Sequence, residues 1–215
     1  MRIFKFMKID VFLCRSYLWI LLFPALVFVI ILVEPDMNPV FASLYCLFGG
    51  LIISCLPFSL SPSLRTESFT HLLPARRGDD VRGHFLFSFL FLLLFLLLSA
   101  VTIAVSAVIR PSMGLLAPAA YPVLFAIALV FAAAQNLLFC AFHPGNMQAQ
   151  QLMRMIPPFL FFFGGTALLE NIPSAMALLE ALLTPTGSAV CLVSGLVIFL
   201  LAAQIGAMIS AGREA

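Results

Sequence analysis

The side chains that could carry chemistry are few in this chain, and they are not grouped as an active site requires. The three histidines, His71, His84 and His143, lie far apart and lack the spacing of metal ligands. The one adjacent pair of acids is Asp79–Asp80, which lies in a polar stretch. The sequence contains no phosphate-binding G-x-x-x-x-G-K loop and no G-x-S-x-G nucleophile turn. It therefore predicts that this chain has no catalytic residue, no metal site and no cofactor of its own.

The five cysteines do not have the pattern of a disulfide framework or a zinc site. Their number is odd, they are scattered, and no two are spaced as C-x-x-C. All lie in or next to apolar runs, where a free cysteine packs as a small apolar residue. We expect packing between helices for Cys14, Cys46, Cys55, Cys140 and Cys191.

The composition is typical of a membrane protein. Of the 215 residues, 63% are hydrophobic and 9% are charged, whereas about a quarter of a soluble domain is charged. A chain of this length cannot hide so much apolar surface in a water-soluble core. The net charge of +2, without a basic–aromatic pattern, argues against a nucleic-acid partner. We predict an all-α, polytopic integral membrane protein that is surrounded by lipid.

Six apolar segments are long enough to cross a hydrocarbon layer about 30 Å thick, which takes about 20 helical residues. Backbone in lipid must satisfy its own hydrogen bonds, so each segment is predicted to be a helix. The basic run before the first segment resembles the start of a signal peptide, but no A-x-A site follows, and we expect an uncleaved first helix. The predicted spans are Tyr17–Val33, Pro39–Leu60, Phe85–Ile109, Ala119–Phe142, Ile156–Asn171 and Gly187–Ser210.

The cations orient these spans. If the N- and C-termini are cytoplasmic, ten of the eleven lysines and arginines lie inside and only Arg110 lies outside. Residues 1–215 then form one transmembrane domain. Within it, residues 1–16 are predicted to form an interfacial segment, with a plain charged flank as the alternative. Residues 172–186 are predicted to form a short extracytoplasmic helix that is too short to cross.

Few polar side chains lie in the spans. They are Gln135 and Asn136 in the fourth, Glu170 at the end of the fifth, and Gln204 in the sixth. Such groups either hydrogen-bond to neighbouring helices or line a pathway, and both interpretations stay open here. Small residues recur at i, i+4 and predict close helix contact, within the chain or across a dimer: Ala128 and Ala132, then Ala202, Gly206 and Ser210.

Residues 61–84 form the longest polar interval of the chain. Ser61 is predicted to start a helix that ends before Pro74, because the residue before proline avoids the helical region. Gly78 or Asp79 is predicted to cap the next helix, whose N-terminal dipole favours the two aspartates. We expect a helix, a basic turn and a second helix that together form a compact cytoplasmic loop.

The same interval carries a resemblance to a known family. The residues LPARRGDDVRGHF, from Leu73 to Phe85, have the order L-P-x-x-R, acid, V-x-G and aromatic. This order is similar to the first cytoplasmic loop of ABC-2 type transporter permeases, the membrane-spanning subunits of bacterial ABC exporters, in their short six-helix group. The basic N-terminal stretch and the six spans extend the resemblance over nearly the whole chain. The residues Gly78-Asp79-Asp80 depart from it, because members of the family commonly carry a further basic residue there.

The resemblance implies a permease that exports a hydrophobic or amphipathic substrate, such as a peptide or an antibiotic, from a bacterial plasma membrane. ATP and magnesium would bind to a separate ATPase subunit, present in two copies, and a second permease subunit, the same or different, would complete the transporter. The loop would act as a coupling helix against the ATPase. The residues implied in that contact are Leu64, Arg65, Glu67, Phe69, Leu72, Leu73, Arg76 and Arg77.

Two other classes of protein share parts of this pattern. A membrane scaffold, assembly factor or sensor subunit would have the same topology and no ATPase partner. A membrane enzyme that acts on lipid should cluster His, Asp or Glu at one membrane face, which this sequence does not do. A neighbouring reading frame that encodes an ATPase would favour the transporter.

Overall fold

The computed structural model describes residues 2–34, 38–63, 78–111, 115–142, 147–165, 167 and 181–213. These residues are helical almost throughout and contain no strand. The elements are α1 (Arg2–Leu13), a 3₁₀ helix (Cys14–Leu22), α2 (Phe23–Val33), α3 (Pro39–Ser54), α4 (Leu56–Ser63), α5 (Asp79–Ile109), α6 (Ala120–Phe142), α7 (Met147–Phe159), a π-helical turn (Leu160–Gly164) and α8 (Pro185–Arg213).

The all-helical prediction is confirmed for the described residues. Four helical segments there are long and apolar enough to cross a membrane, and a bent N-terminal pair would make a fifth. The predicted fifth span, Ile156–Asn171, is described only in part, so the count of six and the orientation of the termini stay predictions. The four segments are Pro39–Leu60, Asp79–Ile109, Ala120–Phe142 and Pro185–Gly212.

The N-terminal pair bends by 67° between Ile3–Tyr17 and Trp19–Val33. The straight part after the bend is Trp19–Val33, which extends about 25 Å at about 2.0 Å per residue in the 3₁₀ helix and about 1.5 Å in the α-helix. That length falls short of a hydrocarbon layer of about 30 Å, so a first span would need some residues before the bend as well. The bend is the geometry that an interfacial segment before the first span requires, and the location of that segment at the membrane surface stays a prediction.

The core lies where α3 packs on α5 and where α8 packs along α6. Small residues make these approaches close: a Cβ atom at Gly50 would lie 3.0 Å from the Cβ atom of Phe95, and one at Gly195 would lie 2.9 Å from that of Ala126. Four of the five small residues predicted to lie in helix contacts are buried within the chain: Ala128, Ala132, Ala202 and Gly206.

The apolar surface of the described residues is uneven. In α5 and α8 only 33% and 28% of the apolar window is buried, against 67% in the Pro39–Leu60 segment and in α6. Side chains such as Val108 and Met208 are exposed. Exposed apolar side chains on long helices are what contact with lipid requires, because lipid chains are as apolar as the side chains themselves.

Candidate functional site

The candidate site is the polar loop that is predicted to be cytoplasmic, and the structure describes the chain on either side of it. The eight residues predicted to contact the ATPase, from Leu64 to Arg77, lie outside the described residues, as does Glu170. The helix α4 leads into the loop, and Gly78 with the first turns of α5 leads out of it. The site is therefore described through these two ends and through the buried polar residues Gln135 and Asn136.

The leading end differs from the prediction at Ser61. Ser61 and Pro62 lie within α4, so a helix does not start there and that prediction is wrong. Pro57 has the place in the first helical turn that was assigned to Pro62, where a missing N–H group costs least. The helix breaks at Cys55, and the Ser59 hydroxyl donates to the Leu56 carbonyl over 3.0 Å.

The trailing end begins with the predicted glycine cap, which is confirmed. Gly78 has a φ of +84° and precedes the first residue of α5. Its carbonyl accepts from the Arg82 N–H over 3.2 Å, and a Cβ atom there would lie 2.9 Å from the Ala207 Cβ atom. Both the left-handed backbone and the close neighbour require glycine. Asp79 and Asp80 lie in the first turn, where the helix dipole favours negative charge.

Arg82 joins this turn to the last helix. Its Nη2 atom donates to the Gln204 Oε1 atom of α8 over 2.8 Å, and its Nη1 atom lies 3.5 Å from the Asp79 Oδ1 atom. The Asp79 side chain is 8% exposed and that of Arg82 is 37% exposed. Gln204 therefore makes a helix contact, which is one of the two roles that its sequence position left open.

His84 joins the same turn to α1. Its Nδ1 atom lies 2.7 Å from the Asp10 Oδ2 atom, and both side chains are largely buried. Burial raises the pKa of the Asp10 carboxyl above its ordinary value, and the charge and hydrogen bond of His84 offset only part of that rise. A Cβ atom at Gly83 would lie 2.6 Å from the Phe6 Cβ atom, so α1 packs directly on α5.

The sequence interpretation did not identify the Asp10–His84 pair. A signal was present, because Asp10 is the only acid among the first 33 residues and stands among four cations. An isolated acid on a helix that otherwise carries cations needs a partner when it is buried. The identity of that partner, 74 residues away, does not follow from local spacing.

Gln135 is fully buried and replaces a backbone hydrogen bond that α7 lacks. Its Nε2 atom donates to the Arg154 carbonyl over 2.8 Å. In a regular helix that carbonyl would accept from the N–H group of residue 158, but residue 158 is proline and has none. A neighbouring side chain often satisfies a carbonyl freed by proline in a membrane helix, and Gln135 does so here.

Asn136 is also fully buried and links three helices through Ser88. Its Nδ2 atom donates to the Ser88 Oγ atom over 2.9 Å. The Ser88 hydroxyl lies 2.5 Å from the Ser54 carbonyl and 3.0 Å from the His84 carbonyl. Ser54 is the last residue of α3, where a helix leaves carbonyls without intrahelical partners. The sequence interpretation missed both serines, because a lone serine in an apolar run carries no pattern.

The two amides use their donors for these contacts and keep their acceptors available. Within the described residues, the Gln135 Oε1, Asn136 Oδ1 and Arg154 Nε atoms are buried without a hydrogen-bond partner. Buried polar atoms in native proteins are almost always paired, often with ordered water. The arrangement serves helix contact directly and leaves polar atoms that a pathway could use, so both predicted roles remain compatible with the geometry.

The remaining candidate ligands are dispersed. Across the described ranges, no group of three or more His, Cys, Asp or Glu side chains is placed to hold a metal ion. The five cysteines form no disulfide with one another; Cys191 is partly exposed and the other four are buried. The expected packing role is confirmed for those four.

The described residues have long apolar helices that could cross a membrane, a tightly packed start of α5 and an apolar exterior. A family model described as an ABC-2 family transporter protein matches residues 6–211, which is nearly the whole chain. The chain belongs to this family. No curated protein and no solved structure matches it significantly. This ABC-2 family member is a multi-pass membrane protein and a permease subunit, of the kind that works with an ATPase subunit.

Proposed function

We propose that this ABC-2 permease exports a hydrophobic or amphipathic substrate, such as a peptide or an antibiotic, across a bacterial plasma membrane. Two copies of a separate ATPase subunit would bind ATP and magnesium, and a second permease, identical or different, would complete the transporter. The observation that carries the proposal is the family match over residues 6–211. Six spans with both termini in the cytoplasm are part of the proposal.

The character of the substrate is argued from the spans. Of the four polar side chains that the sequence singled out in the spans, the three described ones, Gln135, Asn136 and Gln204, are uncharged and bonded to neighbouring helices. A pathway for ions or protons needs ionisable groups within the membrane. A surface built mainly from Phe, Leu and Ala side chains favours an apolar or amphipathic molecule instead.

The coupling role of residues 64–77 is argued from the two ends of the loop. The exit is fixed by the tight Gly78 cap and by ion pairs and hydrogen bonds at Arg82 and His84. A loop held in this way can pass a rigid-body motion of the ATPase to the spans, whereas a slack connection would absorb it. The apolar side chains Leu72 and Leu73 are proposed to insert into the ATPase.

Replacement of Leu72 and Leu73 by aspartate tests this contact. The double variant should lose its ATPase subunit on co-purification, because charge is costly to bury in an apolar groove, while membrane insertion stays intact. The matched control is Leu115→Asp, on the predicted outer side, where the side chain is exposed. Retention of the ATPase by the double variant would exclude these leucines from the contact. Purification of the unaltered chain without any ATPase would favour a scaffold, assembly or sensor subunit.

A further inference from the structure

We propose that Arg82 and Gln204 are positioning residues that fasten the loop exit to α8, so that α8 is the helix that moves when the ATPase binds ATP. The inference rests on the proposed function and adds to it the route that motion takes inside the permease. Three observations support it: a steric contact, a polar contact, and the different lengths of α1 and α8, the two helices that contact the exit.

The steric contact leaves no slack between the start of α5 and α8. A Cβ atom at Gly78 would lie 2.9 Å from the carbonyl oxygen of Ala207. A Cβ atom at Gly206 would lie 3.3 Å from a methyl group of Val81 and 3.3 Å from the ring of Phe85. Packed surfaces this close transmit a displacement instead of deforming, because protein interiors are dense and hardly compressible.

The polar contact fixes the register of the two helices. The 2.8 Å hydrogen bond between the Arg82 guanidinium and the Gln204 amide joins residues 122 positions apart. Gln204 lies on a face of α8 that is otherwise apolar and exposed, with Leu201 and Met208 nearby. A polar amide on such a face is costly in lipid unless it is paired, and Arg82 provides the pairing. The long Arg82 side chain can reach this amide while its charge stays near the membrane interface.

The helix α1 also contacts the loop exit, through Asp10 with His84 and through Phe6 against Gly83. The two helices that contact the exit, α1 and α8, differ in length. The helix α1 has 12 residues and ends at a bend, whereas α8 has 29 residues and is about 43 Å long. A displacement of α8 at Gln204 therefore extends to its far end, and a displacement of α1 remains local.

Cys191 is a native reporter for that far end. It lies 13 residues from Gln204 along α8, which is about 20 Å, and it is the partly exposed cysteine while the other four are buried. The test uses the permease purified with its ATPase subunit in lipid nanodiscs. The rate of N-ethylmaleimide labelling is measured for the Cys191 peptide by mass spectrometry, without nucleotide and with magnesium, ATP and vanadate.

For the unaltered complex we expect nucleotide to change the Cys191 labelling rate by about fivefold or more, the lower end of typical coupling between sites. Gln204→Met keeps the side-chain volume, suits lipid and removes the acceptor, so the change should be lost. Gln204→Glu should keep it, because a carboxylate also accepts from Arg82. Arg82→Gln provides a second disruption from the other side, and Leu201→Ala is the control on the same helix.

The outcomes separate the inference from the function on which it rests. A normal nucleotide response in both Gln204→Met and Arg82→Gln would overturn the inference and leave the permease function intact. An unaltered complex that holds its ATPase but shows no response at Cys191 would do the same. If the unaltered chain binds no ATPase, the proposed function fails first and the inference fails with it. Thermal unfolding of each variant in the same nanodiscs distinguishes lost coupling from lost fold.

Discussion

At the scale of single residues, several polar side chains complete hydrogen bonds that the helices themselves leave open. Gln135 serves the Arg154 carbonyl that Pro158 cannot serve, and the Ser88 hydroxyl lies within hydrogen-bonding distance of the last carbonyl of α3. In lipid no water takes over such a carbonyl, so a side chain on a neighbouring helix is the remaining donor. The sequence indicated that Gln135 and Asn136 would bond or line a path, but it could not indicate which carbonyl each one meets.

A double-mutant cycle tests the pairing of Gln135 with Pro158. Gln135→Leu should lower the free energy of unfolding by about 1 kcal/mol, because the Arg154 carbonyl loses its donor. In a Pro158→Ala background the cost should shrink, since residue 158 regains its N–H group. Pro157→Ala is the matched control, because its N–H group would reach the Met153 carbonyl instead. Thermal unfolding in detergent gives the four free energies, and an equal cost in both proline backgrounds would contradict the account.

Arg110, the one cation predicted to lie outside, also donates to backbone carbonyls at the end of another helix. Its guanidinium donates to the Ile31 carbonyl over 3.3 Å and to the Leu32 carbonyl, at the end of α2. A cation there satisfies open carbonyls and complements the helix dipole. Arg110→Gln should destabilise the protein by about 1–2 kcal/mol, and Arg110→Lys by less. Equal melting temperatures for the three proteins would show that the cap contributes nothing.

At the scale of elements, hydropathy located the four candidate spans of the described residues and did not locate every helix end. The predicted span Pro39–Leu60 coincides with an observed candidate span, and α6 differs from its predicted span by one residue. The helix start at Ser61 was wrong, since Pro57 allows α4 to begin at Leu56. The helix α7 begins at Met147, before the predicted span at Ile156, and Gln135 donates to the carbonyl that Pro158 leaves open. The Asp10–His84 and Arg82–Gln204 contacts are tertiary, so no local pattern encodes them.

Gly78 provides the test at this scale. Gly78→Ala should cost about 1–3 kcal/mol, because alanine is strained at positive φ and its methyl group would collide with Ala207. Gly165 is the matched control, since it has ordinary helical angles and a Cβ atom there would meet no atom within 4 Å. Gly165→Ala should be neutral or slightly stabilising. Two alanine variants of equal stability, by thermal unfolding, would refute the cap geometry.

At the scale of the whole molecule, the helices form a bundle with an apolar exterior and a polar junction at the loop exit. Composition was enough to predict an all-helical membrane protein, and the residue order from Leu73 to Phe85 carried the resemblance to ABC-2 permeases. They could not provide the contacts of the loop exit, because those depend on which helices the fold brings together. The proposed function gives a reason for one polar loop in an otherwise apolar chain, since a permease driven by an ATPase needs a surface for that partner.

The topology makes a prediction about thiols in intact cells. Cys46 is buried and Cys191 lies in a predicted span, so both should resist membrane-impermeant maleimides, which do not enter lipid. A cysteine placed at the exposed outer position 115 should react quickly and serves as the positive control. Rapid labelling of Cys46 would indicate a wide water-filled path or a different topology.

The most direct test of the central claim is photo-cross-linking from the loop in living cells. A benzoyl-phenylalanine in place of Leu73 should form a covalent adduct with an ATP-binding subunit, which mass spectrometry identifies by its nucleotide-binding motifs. The same probe in place of Leu115, on the predicted outer face, should form none. An ATPase adduct from position 73 alone is the result that coupling through this loop predicts. No adduct from position 73, or the same adduct from both positions, would contradict it.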